Sequence, residues 1–268
     1  MMRGNRVDTA GTGAKAGPVT EPRRTFTDDD AALLYDVENT WDRVGWPADR
    51  FYSDAVAAAG SVLDVGCGTG SMLHTARAEG HRGRLAGVDP DEAMLARARG
   101  GRSDVEWVLA TAAEMTYDAE FELAVMASNA FQCFVTDDEL RVSLAAIRRA
   151  LVPGGSFVFG TRHLQARAWE AWNPSNAGNL VLPGGREVRG WLRVERVEGP
   201  LVTVTETTAL PDGTPLRVSG STLRFHTPET LNPALVEAGF RVECQYGDWL
   251  RGALDALSRE IITVARAQ

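Results

Sequence analysis

"SVLDVGCGTGSM", residues 61–72, is the stretch on which the reading of this chain turns. A short apolar run gives way to Gly66, Gly68 and Gly70, and helix-compatible sequence follows from Thr69 to Glu79. A strand that breaks into glycines and continues as a helix brings backbone N–H groups against a bound nucleotide. The glycines read G-x-G-x-G, whereas the dinucleotide fingerprint G-x-G-x-x-G wants glycine at 71, where Ser71 stands. Asp64 adds negative charge beside the turn. That suits a ligand with an ammonium group and no phosphates. About twenty residues beyond the loop, Asp89 in "GVDPDEAM" stands where a carboxylate accepts hydrogen bonds from ribose hydroxyls.

Outward from the loop, strands and helices alternate. "SVLDV", helix 69–79, "RLAGVD", helix 91–99, "VEWVLA", "FELAVMAS", helix 137–150 and "SFVFGTR" succeed one another. Such alternation predicts right-handed crossovers and an α/β doubly wound, mostly parallel sheet with helices on both faces. After Thr161 the rhythm changes. A helical piece around 164–172 precedes "EVRGWLRVERVEG", "LVTVTETTALPDG" and "TPLRVSGSTLRF", which read as a three-stranded antiparallel insertion. Helix 228–238 then leads to two closing strands, in "FRVECQYGDW" and "SREIITVARA".

Upstream, residues 1–24 lack any apolar period and read as a disordered arm. From Thr27, acids in a first turn and Leu33, Leu34, Val37 and Trp41 on one face predict a helix; Pro47 opens a second, ending near Gly60. The expected organisation is one domain over 25–268: a helical cap at 25–60, a cofactor core at 61–161, an acceptor-side insertion at 162–226 and the last two strands at 227–268.

The chain resembles the class I S-adenosylmethionine-dependent methyltransferases, whose "VLDVGCGTG" motif is matched in full at 62–70. The resemblance covers about residues 31–161 plus the last two strands, and implies a seven-stranded Rossmann-like sheet with S-adenosylmethionine as cofactor. It assigns cofactor contacts to Tyr35, Asp64, Gly66, Cys67, Gly68, Gly70, Asp89, Pro90, Met94, Thr111, Ala112, Ala113 and Ser128. Tyr35 would close over the methionine end and Met94 would lie against the adenine. Thr111 departs from the pattern, since an acid that bonds the adenine amine is common there; its hydroxyl, a backbone group or Glu114 would serve instead.

Methyl transfer from a sulfonium is an in-line displacement in which orientation and desolvation carry much of the rate. The acceptor is expected beyond the carboxyl ends of the strands. There Asn129 and Gln132 can orient an amine or hydroxyl, His163 can take a proton, and Arg162 can hold a carboxylate. Phe131, Trp169, Trp172, Trp191, Tyr246 and Trp249 are the candidate acceptor surface, being flat and apolar. The expected reaction is methylation of a small molecule, such as a natural-product or other metabolic intermediate. Two alternatives share the fold: a non-methylating reaction such as cyclisation, and a non-catalytic partner subunit.

Formal charge of −8 argues against nucleic acid as partner, and the "SNAF" at 128–131 lacks the prolines of base-amine methyltransferases. Three scattered cysteines offer no metal pattern and fit a reducing compartment. With no apolar run near the ~20 residues of a membrane span, the chain is expected in the cytoplasm as a monomer or homodimer.

Overall fold

The computed structural model describes residues 26–42 and 44–268; the arm expected at 1–24 lies outside them. Two helices come first, α1 (Asp28–Glu38) and α2 (Pro47–Ala58). Thr27 caps α1 by a reciprocal box with Asp30, and three acids in its first turn favour the helix dipole. The helix stops at Glu38, so Trp41 lies beyond it rather than on its buried face. Asn39 closes the last turn by donating to the Tyr35 carbonyl, and the Trp41 indole donates to Ser53 on α2 at 2.9 Å.

The main sheet comprises β1 (Ser61–Val65), β2 (Arg84–Asp89), β3 (Glu106–Leu109), β4 (Phe121–Met126) and β5 (Leu151–Arg162), linked through α3 (Ser71–Ala78), α4 (Glu92–Gly101) and α5 (Asp137–Ala150). Four strands, β6 (Gly178–Leu182), β7 (Arg186–Glu198), β8 (Leu201–Ala209) and β9 (Pro215–Arg224), form a separate antiparallel sheet. The chain then returns through α6 (Pro228–Glu237), β10 (Phe240–Tyr246) and β11 (Glu260–Ala267). The seven-stranded order is β10-β11-β5-β4-β1-β2-β3, with β1 to β5 parallel and β11 antiparallel to both its neighbours. The expected fold class holds, with one addition. The insertion has four strands rather than three, because "GNLVL" pairs with β7 from Gly178↔Gly190 to Leu182↔Arg186. Its short polar-flanked run carries no clear alternation, so only the pairing reveals it.

Strand alternation explains the two-sided core. On β1, Val62 packs with α2 and α3 while Leu63 and Val65 pack with α5; on β5, Val158 faces the first group and Phe157 and Phe159 the second. The second sheet has its own core of Trp169, Val202, Val204 and Phe225. It is joined to the rest through α1, whose Leu34 is buried with Leu182 and Val188. Asp36–Arg97, at 2.6 Å, ties α1 to α4 on its other side. Helix α1 is thus clasped between the insertion sheet and the cofactor half.

Candidate functional site

Strand β1 lies between β4 and β2, where the winding of the sheet reverses, and a cleft opens there beyond the strand ends. The Gly66 and Cys67 N–H groups donate to the Val88 carbonyl at 2.8 and 3.1 Å, pinning the turn to β2. One Asp89 oxygen accepts from Gly68 N–H at 2.8 Å and the other from Asp91 N–H at 2.9 Å. Gly66, Gly68 and Gly70 all have positive φ. At Gly70 a side chain is also excluded by space: a Cβ there would stand 2.4 Å from the Trp107 ring.

The cleft is narrow, a cavity of ≈ 30 Å³. Asp64, Gly66 and Cys67 form its floor, Ala127 and Ser128 one wall, and Tyr35, Asn39 and Trp41 the cover. Asp64 is 3% exposed, and its Oδ1 has no hydrogen-bond partner. Burial, and then the negative charge of Asp89, raise its pKa to about 8. An acid in that condition gains from a cationic partner. A ligand bearing an ammonium group fits the orphaned Asp64 oxygen, and the three glycines keep the backbone beside it open.

Of the other positions assigned to the cofactor, Ala112 is buried, Met94 half-buried, and Pro90 and Ala113 exposed. The Thr111 hydroxyl is engaged with Glu114 Oε2 at 2.8 Å in a capping box for the short turn that follows β3. Burial and the charges of Asp64 and Asp89 push the Cys67 thiol up, so it stays protonated. Asn39, Trp41, Thr69 and Met72 line the cleft without having been picked out from the sequence. Asn39 was legible as the polar residue one turn after Tyr35; for the others no sequence signal separates lining from packing.

At the end of β4, Ser128 and Asn129 take left-handed conformations in succession, φ 52° and 62°. For a non-glycine residue this costs about 1–2 kcal/mol, less for asparagine, and it turns the chain sharply at the cleft wall. The Asn129 Oδ1 is buried without a partner. Arg162, where β5 ends, donates to Gln132 Oε1 at 2.6 Å and lies over the Trp172 ring. The His163 ring is turned toward the β11 end, with Nδ1 3.0 Å from the Ser258 carbonyl. His226 is 1% exposed, edge-on to Phe131, with neither ring nitrogen paired; burial lowers its pKa to about 4, so it is neutral at ordinary pH.

The candidate aromatics divide among three places. Phe131 is fully buried and stacked on Phe159. Trp169 belongs to the insertion's own core, edge-on to Phe225, with Trp172 at its border. Trp191 alternates with Leu192 on β7 and so projects from the opposite face of that sheet. Tyr246 and Trp249 join Phe51, Tyr52 and Trp41 in a ring cluster over β5, where Gly160 admits the Trp249 indole: a Cβ there would lie 2.5 Å from it.

A second acidic feature lies between α1 and β8. Tyr35, Glu38 and Asn39 share one face of α1 by their i, i+3, i+4 spacing, and Glu38 lies close enough to Glu206 of β8 to feel its charge. Burial first and Glu206 second raise the Glu38 pKa to about 7. Glu206, although exposed, is likewise shifted upward by desolvation, with Arg217 opposing. Among the described residues there is no cluster of metal-ligating side chains and no helix long and apolar enough to cross a membrane.

The comparisons agree with this geometry. Residues 62–155 match a methyltransferase domain family. Over 99 residues the chain is 35% identical to a cypemycin N-terminal methyltransferase of a Streptomyces species; the match takes in 36% of this chain, which spans 39% of that relative's length. Among solved structures, the CcbJ methyltransferase of Streptomyces caelestis superposes with a TM-score of 0.70 at 24% identity, over 90% of this chain and 97% of that one. An amino pentose methyltransferase of Micromonospora echinaspora involved in calicheamicin biosynthesis gives 0.63 at 24% identity, over 92% and 100%. A sugar N-methyltransferase of a Streptoalloteichus species gives 0.63 at 20% identity, over 95% and 99%. Those structures share the fold, while the motif and the domain match carry the lineage. Residues 62–155 thus carry a methyltransferase domain, and the chain as a whole has the fold of S-adenosylmethionine-dependent methyltransferases.

Proposed function

We propose that this chain transfers a methyl group from S-adenosylmethionine to a nitrogen atom of a small-molecule acceptor. The observation that carries the cofactor part is the orphaned Asp64 carboxyl lining a glycine-built cleft, with Asp89 gripping the loop at Gly68. When bound, S-adenosylmethionine supplies an electrophilic methyl on a sulfonium. Asp64 would hold the ammonium, Asp89 the ribose, and Tyr35 the cover that excludes water.

Nitrogen as acceptor is favoured by the two carboxylates that meet between α1 and β8, Glu38 being one turn from Tyr35. Glu38 and Glu206 offer negative potential to an ammonium, and a carboxyl with a pKa near 7 takes a proton from it at neutral pH, freeing the lone pair for in-line attack. The Asn129 Oδ1 can accept the remaining N–H and fix its direction. The names of the similar proteins point the same way: a sugar N-methyltransferase and an N-terminal methyltransferase act on nitrogen.

The test uses S-adenosylmethionine with a deuterated methyl and a panel of amino sugars and other small amines, followed by mass spectrometry and NMR. Labelled N-methyl product together with S-adenosylhomocysteine is expected. Label on oxygen or carbon would overturn the nitrogen assignment, and turnover without S-adenosylhomocysteine would overturn methyl transfer altogether. Glu38→Gln should lower kcat about 100-fold and remove a rise in rate through pH 7, leaving cofactor affinity within threefold.

A further inference from the structure

We infer that Arg162 anchors an anionic group of the acceptor, a carboxylate or a phosphate, at the mouth of the cleft. This rests on reading that mouth as the acceptor site.

Arg162 ends β5, the strand beside β4, and so emerges next to the Ser128–Asn129 turn that walls the cleft. Its guanidinium is held on two sides. Nη1 donates to Gln132 Oε1 at 2.6 Å, and Cζ lies 5.2 Å from the centre of the Trp172 ring. Gln132 is itself fully buried and fixed, its Nε2 donating to the Arg224 carbonyl at 3.2 Å. Two residues from different elements therefore orient one fork.

What the fork lacks is a salt bridge. Among the described residues no carboxylate pairs directly with Arg162; Glu260, its register partner on β11, is near enough for its charge to be felt, but that carboxylate accepts from the Trp249 indole. Arg224, also near Gln132, is by contrast paired with Asp137 at 2.6 Å. A half-buried guanidinium gives up hydration that a neutral amide on one nitrogen and an aromatic face restore only in part. A carboxylate or phosphate oxygen on the remaining edge would complete it, and the planar fork favours such bidentate partners over other ligands. Were Arg162 only a strut for the insertion, a neutral glutamine or methionine would serve without the desolvated charge.

The acceptor would then be held at two ends, an amine toward Glu38 and Asn129 and an anion toward Arg162. The arrangement selects for amines that carry an acid group and against neutral ones of the same shape.

The experiment titrates the full-length chain, saturated with S-adenosylhomocysteine, with inorganic phosphate and separately with acetate, at ionic strength fixed by chloride and followed by NMR. Wild type should bind at least one of them in the millimolar range. Binding should weaken at least tenfold in Arg162→Gln and about threefold in Gln132→Ala. Phosphate alone assigns the source as a phosphate, acetate alone as a carboxylate, and both indicate a site that takes either. If neither binds, or if Arg162→Gln binds as wild type does, the anchor is wrong. Arg162→Lys keeps charge without the fork and guards against a folding failure; melting temperature and S-adenosylhomocysteine affinity within twofold of wild type show that it is sound. Should S-adenosylhomocysteine itself not bind, the methyltransferase reading falls, and the same titrations without it still decide for or against the anion site.

Discussion

Between Val65 and Ser71 the cleft is shaped by backbone: three glycines with positive φ, two N–H groups tied to Val88, and one tied to Asp89. Across from it, the cover is made of side chains, Tyr35, Asn39 and Trp41, and the acceptor mouth proposed above draws on Glu38 from α1, Asn129 after β4, Arg162 from β5 and Glu206 from β8. A backbone-built wall tolerates no substitution that adds bulk but is indifferent to most neighbouring side chains. A side-chain wall can be rewritten one residue at a time without disturbing the fold. The difference teaches why donor and acceptor chemistry can diverge in one domain: the first is locked into φ angles and the second is not.

The most severe way to test that contrast is Gly70→Val. The new side chain meets both a left-handed φ of 79° and the Trp107 ring at 2.4 Å, and a β-branched residue is strained there whatever the space. Cofactor binding should fall below detection in calorimetry, with a melting temperature several degrees lower. Near-normal affinity would show that the loop is more plastic than its geometry implies.

Asp89→Ala comes next. It removes the proposed ribose acceptor together with the carboxylate that holds Gly68 N–H, so S-adenosylmethionine affinity should weaken about 100-fold, as for loss of a charged hydrogen-bond partner. Asp89→Asn keeps one acceptor oxygen and should recover part of it. If alanine at 89 leaves the affinity as in wild type, the ribose assignment is wrong.

Asp64 sharpens the contrast through pH. Its folded pKa, raised to about 8, exceeds the value in the unfolded chain, so the folded state binds the extra proton more tightly. Its contribution to stability is therefore full below about pH 4 and is lost as pH rises through 8. For the ligand-free chain, Asp64→Asn should flatten the decline in melting temperature over that window. Placing an ammonium beside the carboxyl favours its ionised form, so cofactor binding at pH 7 should release a proton. Calorimetry in buffers of differing ionisation enthalpy measures that release; proton uptake, or no exchange, would contradict the arrangement.

The same contrast explains what the sequence made legible. Positive φ and close backbone approach demand glycine at 66, 68 and 70, and the helix and strand periods flank them without ambiguity, so the loop and the sheet could be read directly. Asp89 was visible as an acid at the end of the second strand. Its grip on Gly68 was not, because that depends on how the loop folds back. The Glu38–Glu206 pair and the Arg162–Gln132–Trp172 group were opaque for a different reason. Glu38 and Glu206 stand 168 positions apart and meet because α1 is clasped beneath the insertion sheet, while Gln132, Arg162 and Trp172 come together from after β4, the end of β5 and the insertion. Likewise "GNLVL" became a strand through its partner, not its pattern.

Thr111→Ala should have the smallest effect and mark the boundary between the two kinds of wall. The residue sits near the cofactor half yet acts by a side chain, its hydroxyl donating to the Glu114 carboxylate while the Glu114 N–H bonds the Thr111 carbonyl. If its hydroxyl is occupied by this box, losing it should cost about 0.5–1 kcal/mol of stability, the low end for an exposed cap, and change S-adenosylmethionine affinity less than threefold. Denaturant unfolding and calorimetry on the same preparation separate the two effects. A loss of tenfold or more in affinity with unchanged stability would mean that the hydroxyl leaves Glu114 to bond the adenine. The backbone-built wall would then extend less far along the strand ends than the glycine loop suggests, with adenine recognition belonging to the rewritable part of the site.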